Sequence, residues 1–223
     1  MRGLVRVGAA VPSLALGNVK ENMKRHLAMM REAKEKHVSI VTFPELSLTG
    51  YTCGDLFFQR RLLDDVTDAL LALKDEMPEG ILAVVGAPLE IEGALYNCAV
   101  VLHKGEIISA VPKTFLPNNG EFYEKRWFQS GDARRDASVA IPKLKTDVCR
   151  QAIFEMEDGV RFGIELCEDL WVPCPPSTRL TAGGAAIIAN LSASDEVIGK
   201  ADYRRMLVSA TSARLACGYV YCS

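Results

Sequence analysis

Residues 160–171, VRFGIELCEDLW, run through an apolar stretch and break into acid, the pattern of a strand emptying into a polar turn with Cys167 at its mouth. Two other strand ends answer it. Residues 38–51, VSIVTFPELSLTGY, deliver Glu45 just after a Phe-Pro break, and residues 105–118, GEIISAVPKTFLPN, deliver Lys113 just after a Val-Pro break. If the three strands lie side by side in one α/β domain, their carboxyl ends bring a thiol, a carboxylate and an ammonium together. That trio is suited to opening an unactivated amide.

Outward from these segments, strand signals alternate with helix signals. Val5, Val7 and Ala9 alternate as in a strand; Asn18 can then cap a helix on which Val19, Met23, Leu27, Met30 and Ala33 recur at helical spacing, with Glu21 three residues after the cap. The run 38–43 shows little alternation, as expected of a strand covered on both faces. A second helix is predicted over 60–77, stopped by Pro78 and Gly80 before a strand over 81–88. Residues 96–113 read as a hairpin turned at Lys104-Gly105, and 152–166 as another turned at Asp158-Gly159, so the sheets should be mixed. A short helix between Pro175-Pro176 and Gly183-Gly184, a strand over 185–192, a helix over 201–217 and a strand over 219–223 complete the chain. No linker or repeat divides it, and it is assigned as one domain.

Composition narrows the function classes. With 223 residues, 49% of them apolar, a sizeable core is expected. Acidic residues exceed basic ones, 28 to 26, which gives no electrostatic footprint for nucleic acid or anionic lipid. No stretch approaches membrane-spanning length, and the first eighteen residues read as a strand rather than a secretion signal. The seven cysteines, at 53, 98, 149, 167, 174, 217 and 222, are scattered without zinc-type spacing. Free thiols in a reducing cytoplasm, with no structural metal, are the expectation.

Amide hydrolysis needs a nucleophile, a proton shuttle for the departing nitrogen, and a positive or hydrogen-bonding partner for the developing oxyanion. Histidine usually serves cysteine as the shuttle. Here His26 and His37 fall on a charged helix and His103 in a hairpin turn, so none is delivered to a strand end beside Cys167. A carboxylate or a lysine is left. Taken singly, each candidate has a plainer reading: Cys167 as a small core residue, Lys113 as a solvated turn lysine, Glu45 as a loop carboxylate near a helix start. Their weight comes from a shared topology, since each follows a strand and two follow prolines that stop it.

The segments TFPELSLTGY, VPKTFLPN and ELCEDLW resemble, in order, the three signature segments of the nitrilase, or carbon-nitrogen hydrolase, superfamily, which uses a Glu-Lys-Cys triad. Finer wording, in YTCGDLF, EFYEKRWF, CEDLWVPCPPS and ANLSASDEVIGK, is similar to one branch, the glutaminase domain of glutamine-dependent NAD synthetases. The resemblance implies a nitrilase-like αββα four-layer sandwich with mixed sheets that pairs through its helices into a homo-oligomer. It implies Glu45 as general base, Cys167 as nucleophile, and Lys113 with the backbone amide of Glu168 as oxyanion partners. Glu121, eight residues beyond Lys113, matches a further glutamate that orients the lysine and substrate. Tyr51, Glu124, Trp171, Ser194 and Lys200 match positions that surround the substrate glutamine. Two positions depart from the pattern: Asn119 stands where some relatives carry tyrosine, and Lys200 where some carry arginine, which would grip a carboxylate bidentately.

The implied chemistry is attack of Cys167 on the side-chain amide of glutamine, loss of ammonia, and hydrolysis of a γ-glutamyl thioester by water activated at Glu45. No cofactor is implied for this domain. ATP and magnesium belong to the carboxyl-terminal synthetase domain of such enzymes, which amidates nicotinic acid adenine dinucleotide. No glycine-rich phosphate loop follows a strand in this chain, and Gly183-Gly184 reads as a helix stop. Because the chain stops inside an apparent strand, the last strands of the sandwich and the synthetase domain are expected beyond Ser223. A stand-alone amidase acting on another small amide and a silent, hydrolase-like interaction subunit are the rival readings.

Overall fold

Two sheets account for the strands of the computed structural model, which describes residues 4–133 and 138–223. The larger opens with β1 (Val7–Ala9), β2 (Ile40–Thr42) and β3 (Leu82–Ile91), mutually parallel and joined by α1 (Val19–Glu35) and α2 (Arg60–Glu76). β4 (Ala94–His103) and β5 (Glu106–Pro112) extend it antiparallel, and β6 (Ser138–Ile141) and β7 (Thr146–Cys149) complete the order β1-β2-β3-β4-β5-β7-β6. The smaller sheet holds β8 (Ile153–Glu155), β9 (Arg161–Leu166), β10 (Ile187–Leu191) and β11 (Gly218–Cys222) in the order β11-β10-β9-β8, with β9, β10 and β11 parallel. The expected turn at Lys104-Gly105 is present with both residues at positive φ, 48° and 74°. A β3–β4 hairpin turned at Glu92-Gly93 and the pair β6–β7 are absent from the sequence reading.

Packing follows from which face each strand offers. Ile40, Val84, Val101 and Val111 of the larger sheet meet Phe162, Ile164, Leu166 and Leu191 of the smaller one, so the sheets stack face to face. On its other face the larger sheet is covered by the buried stripes of α1 and α2, with Leu27, Met30, Val66, Leu70 and Leu73 fully inside. α3 (Pro176–Ala182) covers the far side of the smaller sheet, where Leu180 packs with Ile188 and Cys217. The result is the expected αββα order. Each such side chain contributes about 1.5–3 kcal/mol by leaving water.

The helices begin where the sequence says. The Asn18 side chain accepts the Glu21 backbone N–H at 3.2 Å, capping α1. Its inward stripe differs in one respect: Asn22 and His26 take buried positions and Met23 is only half-buried. Asn22 is admitted because its amide donates to the carbonyls of Ala15 and Leu48, satisfying the loops that follow β1 and β2. The last helix, α4 (Lys200–Leu215), buries only Thr211 and leaves Tyr203 and Met206 exposed.

Candidate active site

Three chain ends carry the chemistry. Beyond β2, Phe43-Pro44 turns the chain so that the Glu45 N–H donates to Ser192 O, 3.1 Å away at the end of β10. This turn lies directly on Gly86 of β3: a Cβ there would stand 2.3 Å from Pro44 O and 2.4 Å from Leu46 N, so only glycine permits the approach. Lys113 follows Pro112 at the end of β5, and Cys167 follows Leu166 at the end of β9. Cys167 is held at φ 42°, a left-handed conformation that costs a non-glycine residue about 1–2 kcal/mol. The buried Asp169 carboxylate keeps it there. It accepts the N–H of Leu166 at 3.0 Å and, across the site, that of Phe115 at 2.7 Å and of Thr114 at 3.2 Å, clipping the ends of β5 and β9 together.

Behind the thiol lies a fully buried ionic cluster. Lys113 Nζ donates to Glu45 Oε1 and to Glu124 Oε1, both at 2.6 Å. Asn97 Nδ2 donates to Glu45 Oε1 at 2.8 Å, and the Tyr51 hydroxyl to Glu124 Oε1 at 2.7 Å. Burial of charge is tolerated only where partners of this kind offset it. Two features of the set matter for reactivity. Glu45 Oε2 and Glu124 Oε2 have no hydrogen-bond partner among the described residues, and an ammonium has three donors, of which Lys113 commits two.

Electrostatics fixes the resting protonation. Burial, then repulsion by Glu45, push the Cys167 thiol up to about 12, against the attraction of Lys113. Burial opposes the Lys113 charge, but the two carboxylates beside it prevail and raise it well above the ordinary lysine value. Burial and the neighbouring Glu45 push Glu124 up to about 7, because two carboxylates share one cation. The resting site therefore holds a thiol, with a base beside it, and no preformed thiolate.

The residues named from sequence divide by distance from this cluster. Glu45, Lys113, Cys167, Tyr51 and Glu124 are brought together. A cavity of about 510 Å³ reaches the cluster at Glu45 and Tyr51, and Glu121, Phe122, Ser194 and Asp195 also line it. Glu121 requires a correction: it is exposed at the rim, and the carboxylate that holds Lys113 is Glu124, three residues on, whose 3-10 turn (Glu124–Arg126) swings it inward. Asn119 is an exposed turn residue whose carbonyl accepts the Phe122 N–H at 2.9 Å. Lys200 and Trp171 do not line the cavity. The Lys200 ammonium lies 5.4 Å from the Trp171 ring centroid and 5.8 Å from that of Phe122, and it pairs with Asp195; Trp171 stacks on Tyr203. The Glu168 N–H lies in the first turn of the 3-10 segment Cys167–Leu170, where helical geometry supplies no acceptor.

His26 is buried inside α1, bonded to Asn22 O at 2.7 Å and Ser47 Oγ at 2.8 Å, and plays no part beside Cys167. Among the described residues no group of three or more His, Cys, Asp or Glu is arranged to hold a metal ion, and no helix is long and apolar enough to cross a membrane. Asn97 and Asp169 are functional positions absent from the sequence reading. Their signal is a polar residue inside an otherwise apolar strand and a carboxylate two residues past the nucleophile.

Comparison with known proteins places the chain in a family. A sequence model of the carbon-nitrogen hydrolase family matches residues 6–222. A glutamine-dependent NAD(+) synthetase of Mycobacterium tuberculosis is 39% identical over 222 residues, 98% of this chain and 32% of that protein. The crystal structure of a glutamine-dependent NAD(+) synthetase from Cytophaga hutchinsonii superposes with a TM-score of 0.85 at 30% identity, over 97% of this chain and 35% of that one. An amidase from Nesterenkonia sp. shares the fold at 16% identity, with a TM-score of 0.77 over 98% of this chain and 75% of that one. The chain thus spans about a third of the length of the synthetases it matches. With the family model spanning nearly all of it and the fold shared with those structures, the chain belongs to the carbon-nitrogen hydrolases.

Proposed function

We propose that this chain is a glutamine amidohydrolase domain that releases ammonia through a cysteine thioester. The observation that carries the reading is the buried Glu45–Lys113–Glu124 cluster beside Cys167, with an unpartnered oxygen on each carboxylate and one uncommitted ammonium donor. Glu45 Oε2 takes the thiol proton as sulfur attacks the amide carbon. The carbonyl π electrons move to oxygen, where Lys113 and the Glu168 N–H receive the charge. Collapse of the adduct breaks the C–N bond, and the departing nitrogen takes its proton from Glu45 and leaves as ammonia. Water, deprotonated by Glu45, then attacks the thioester carbon; glutamate leaves and the thiol regains its proton. Similarity to glutamine-dependent synthetases supports glutamine as the substrate. In the same reading the ammonia passes to a carboxyl-terminal domain that uses ATP and magnesium to amidate nicotinic acid adenine dinucleotide.

An electrophilic glutamine analogue bearing a diazoketone tests the assignment. The adduct should form on Cys167 and leave the exposed Cys174 unmodified. Glu45→Gln and Lys113→Met should each lower glutamate release at least a hundredfold, since loss of one oxyanion donor alone costs about 3 kcal/mol. An adduct confined to another cysteine, or near-normal turnover in either variant, would refute the mechanism. A panel of small amides on which glutamine is no better than its competitors would favour a stand-alone amidase.

A further inference from the structure

We infer that Asp55 is a positioning residue: gripped at the surface by Arg126 and Trp127, it holds the turn Glu124–Arg126 inward and so keeps Glu124 on Lys113. The Asp55 carboxylate takes both arms of one guanidinium, accepting from Arg126 Nε at 2.7 Å on Oδ1 and from Nη2 at 2.8 Å on Oδ2. Its Oδ1 also accepts the Trp127 indole N–H at 2.9 Å. These donors lie two and three residues past Glu124, and the acceptor lies four residues past Tyr51 on the same 3-10 segment, Tyr51–Phe58. The two short segments are thus tied twice, inside by the Tyr51 hydroxyl donating to Glu124 Oε1 at 2.7 Å and outside by Asp55. Phe57 of the first segment packs edge-on against Trp127 and Phe128, with ring centroids 5.8 and 5.0 Å apart.

The outer tie matters because the inner one works against a cost. Burial and repulsion from Glu45 both disfavour the Glu124 carboxylate where it stands. Rotating its turn outward would return it to water and leave Lys113 to Glu45 alone. Lys113 and Tyr51 oppose that rotation from within, and Asp55 opposes it from the surface. A single exposed ion pair contributes little, but a bidentate one that also takes an indole N–H has the geometry in which surface pairs count. The Asp55 and Arg126 side chains keep 60% and 55% of their exposure, so replacing either leaves no buried charge unpaired and the fold intact.

The effect on turnover rests on the glutamine-hydrolysis reading, whereas the placement of Glu124 does not, and the test separates the two. Urea unfolding at pH 5 and pH 8 and glutamate release are measured on the full chain and on its Asp55→Asn, Arg126→Lys and Glu124→Gln variants. Held inside, facing Lys113, Glu45 and Tyr51, Glu124 makes the parent lose stability as pH rises through 7. Asp55 adds nothing to that loss: the Arg126 guanidinium, then the Trp127 indole, hold its carboxyl far below the usual range, so it is ionised at both pH values, folded or unfolded. Asp55→Asn should shrink the loss between pH 5 and pH 8 toward that of Glu124→Gln, and so should Arg126→Lys, which keeps the charge but cannot span both oxygens. Each should lower kcat/KM about tenfold, as when the inward placement falls to about a tenth of the molecules. Parallel pH profiles in the parent and the two surface variants would overturn the inference, whether or not release falls. A smaller pH-dependent loss with release equal to the parent's would overturn it too, since the placement of Glu124 would then be immaterial to turnover. A smaller loss together with no glutamate release by any of the proteins, the parent included, would leave Asp55 as the residue that places Glu124 and remove the proposed hydrolysis.

Discussion

Glu45 and Glu124 divide one ammonium between them, and the imbalance has a measurable sign. A carboxyl whose folded-state value is raised, as Glu124 is from 4.5 to about 7, binds more protons folded than unfolded across that window. Its contribution to stability is complete below pH 4.5 and is lost as pH rises through 7. His26 acts in the opposite sense: burial lowers it to about 4, so its contribution is lost as pH falls below the unfolded value of about 6.5. The two slopes overlap, and the difference between variants isolates one of them. Glu124→Gln should lose less stability than the parent between pH 5 and pH 8, by an amount on the order of 2–3 kcal/mol, in urea unfolding at the two pH values. Parallel pH profiles would mean that Glu124 is not the carboxyl that holds the shared proton.

At the scale of elements, each catalytic group depends on a backbone that another element supports. Gly86 of β3 is the sharpest case, since the turn bearing Glu45 lies on it and Leu48 N donates to its carbonyl at 3.1 Å. Gly86→Ala should displace that turn, lower stability by about 1–3 kcal/mol, and cost activity out of proportion, because Glu45 moves relative to Cys167. A melting curve and glutamate release measured on one preparation check this; normal activity would show that the turn yields without consequence. The strands that carry Glu45, Lys113 and Cys167 were legible because each ends in a proline or an acidic break after an apolar run. The β3–β4 hairpin escaped because its turn is Glu92-Gly93, with a non-glycine residue at φ 52° where Asn or Asp would have signalled it. The resemblance makes Glu124 a substrate-pocket residue and Glu121 the glutamate that orients Lys113, because spacing alone cannot tell which of two carboxylates three residues apart a 3-10 turn will bury. Asn97 and Asp169 carry a local signal of polarity, but the partners that give it meaning lie 52 and 55 positions away.

At the scale of the molecule, β9 joins the core to the chemistry. Phe162, Ile164 and Leu166 point into the contact between sheets, while Glu165 on the opposite face accepts the Ser177 N–H of α3 at 2.8 Å, and the next residue after the strand is the nucleophile. A shift of the smaller sheet against the larger one would therefore separate Cys167 from Glu45 and Lys113, which sit on the larger. The clip at Asp169 and the Glu45–Ser192 hydrogen bond tie the two sets of strand ends directly. This arrangement is suited to control from outside the domain, because a partner that favours one relative placement of the sheets changes the rate only through its different affinity for the two placements. If the domain serves a synthetase, full-length protein should release glutamate faster with ATP and nicotinic acid adenine dinucleotide bound than without them. By reciprocity, a glutamine analogue bound beside Cys167→Ala should tighten binding of those ligands by the factor through which they tighten binding of the analogue. Equal glutamate release with and without the ligands, and no mutual effect on binding, would mean that the sandwich holds its strand ends rigidly and that the domain works as an independent amidase.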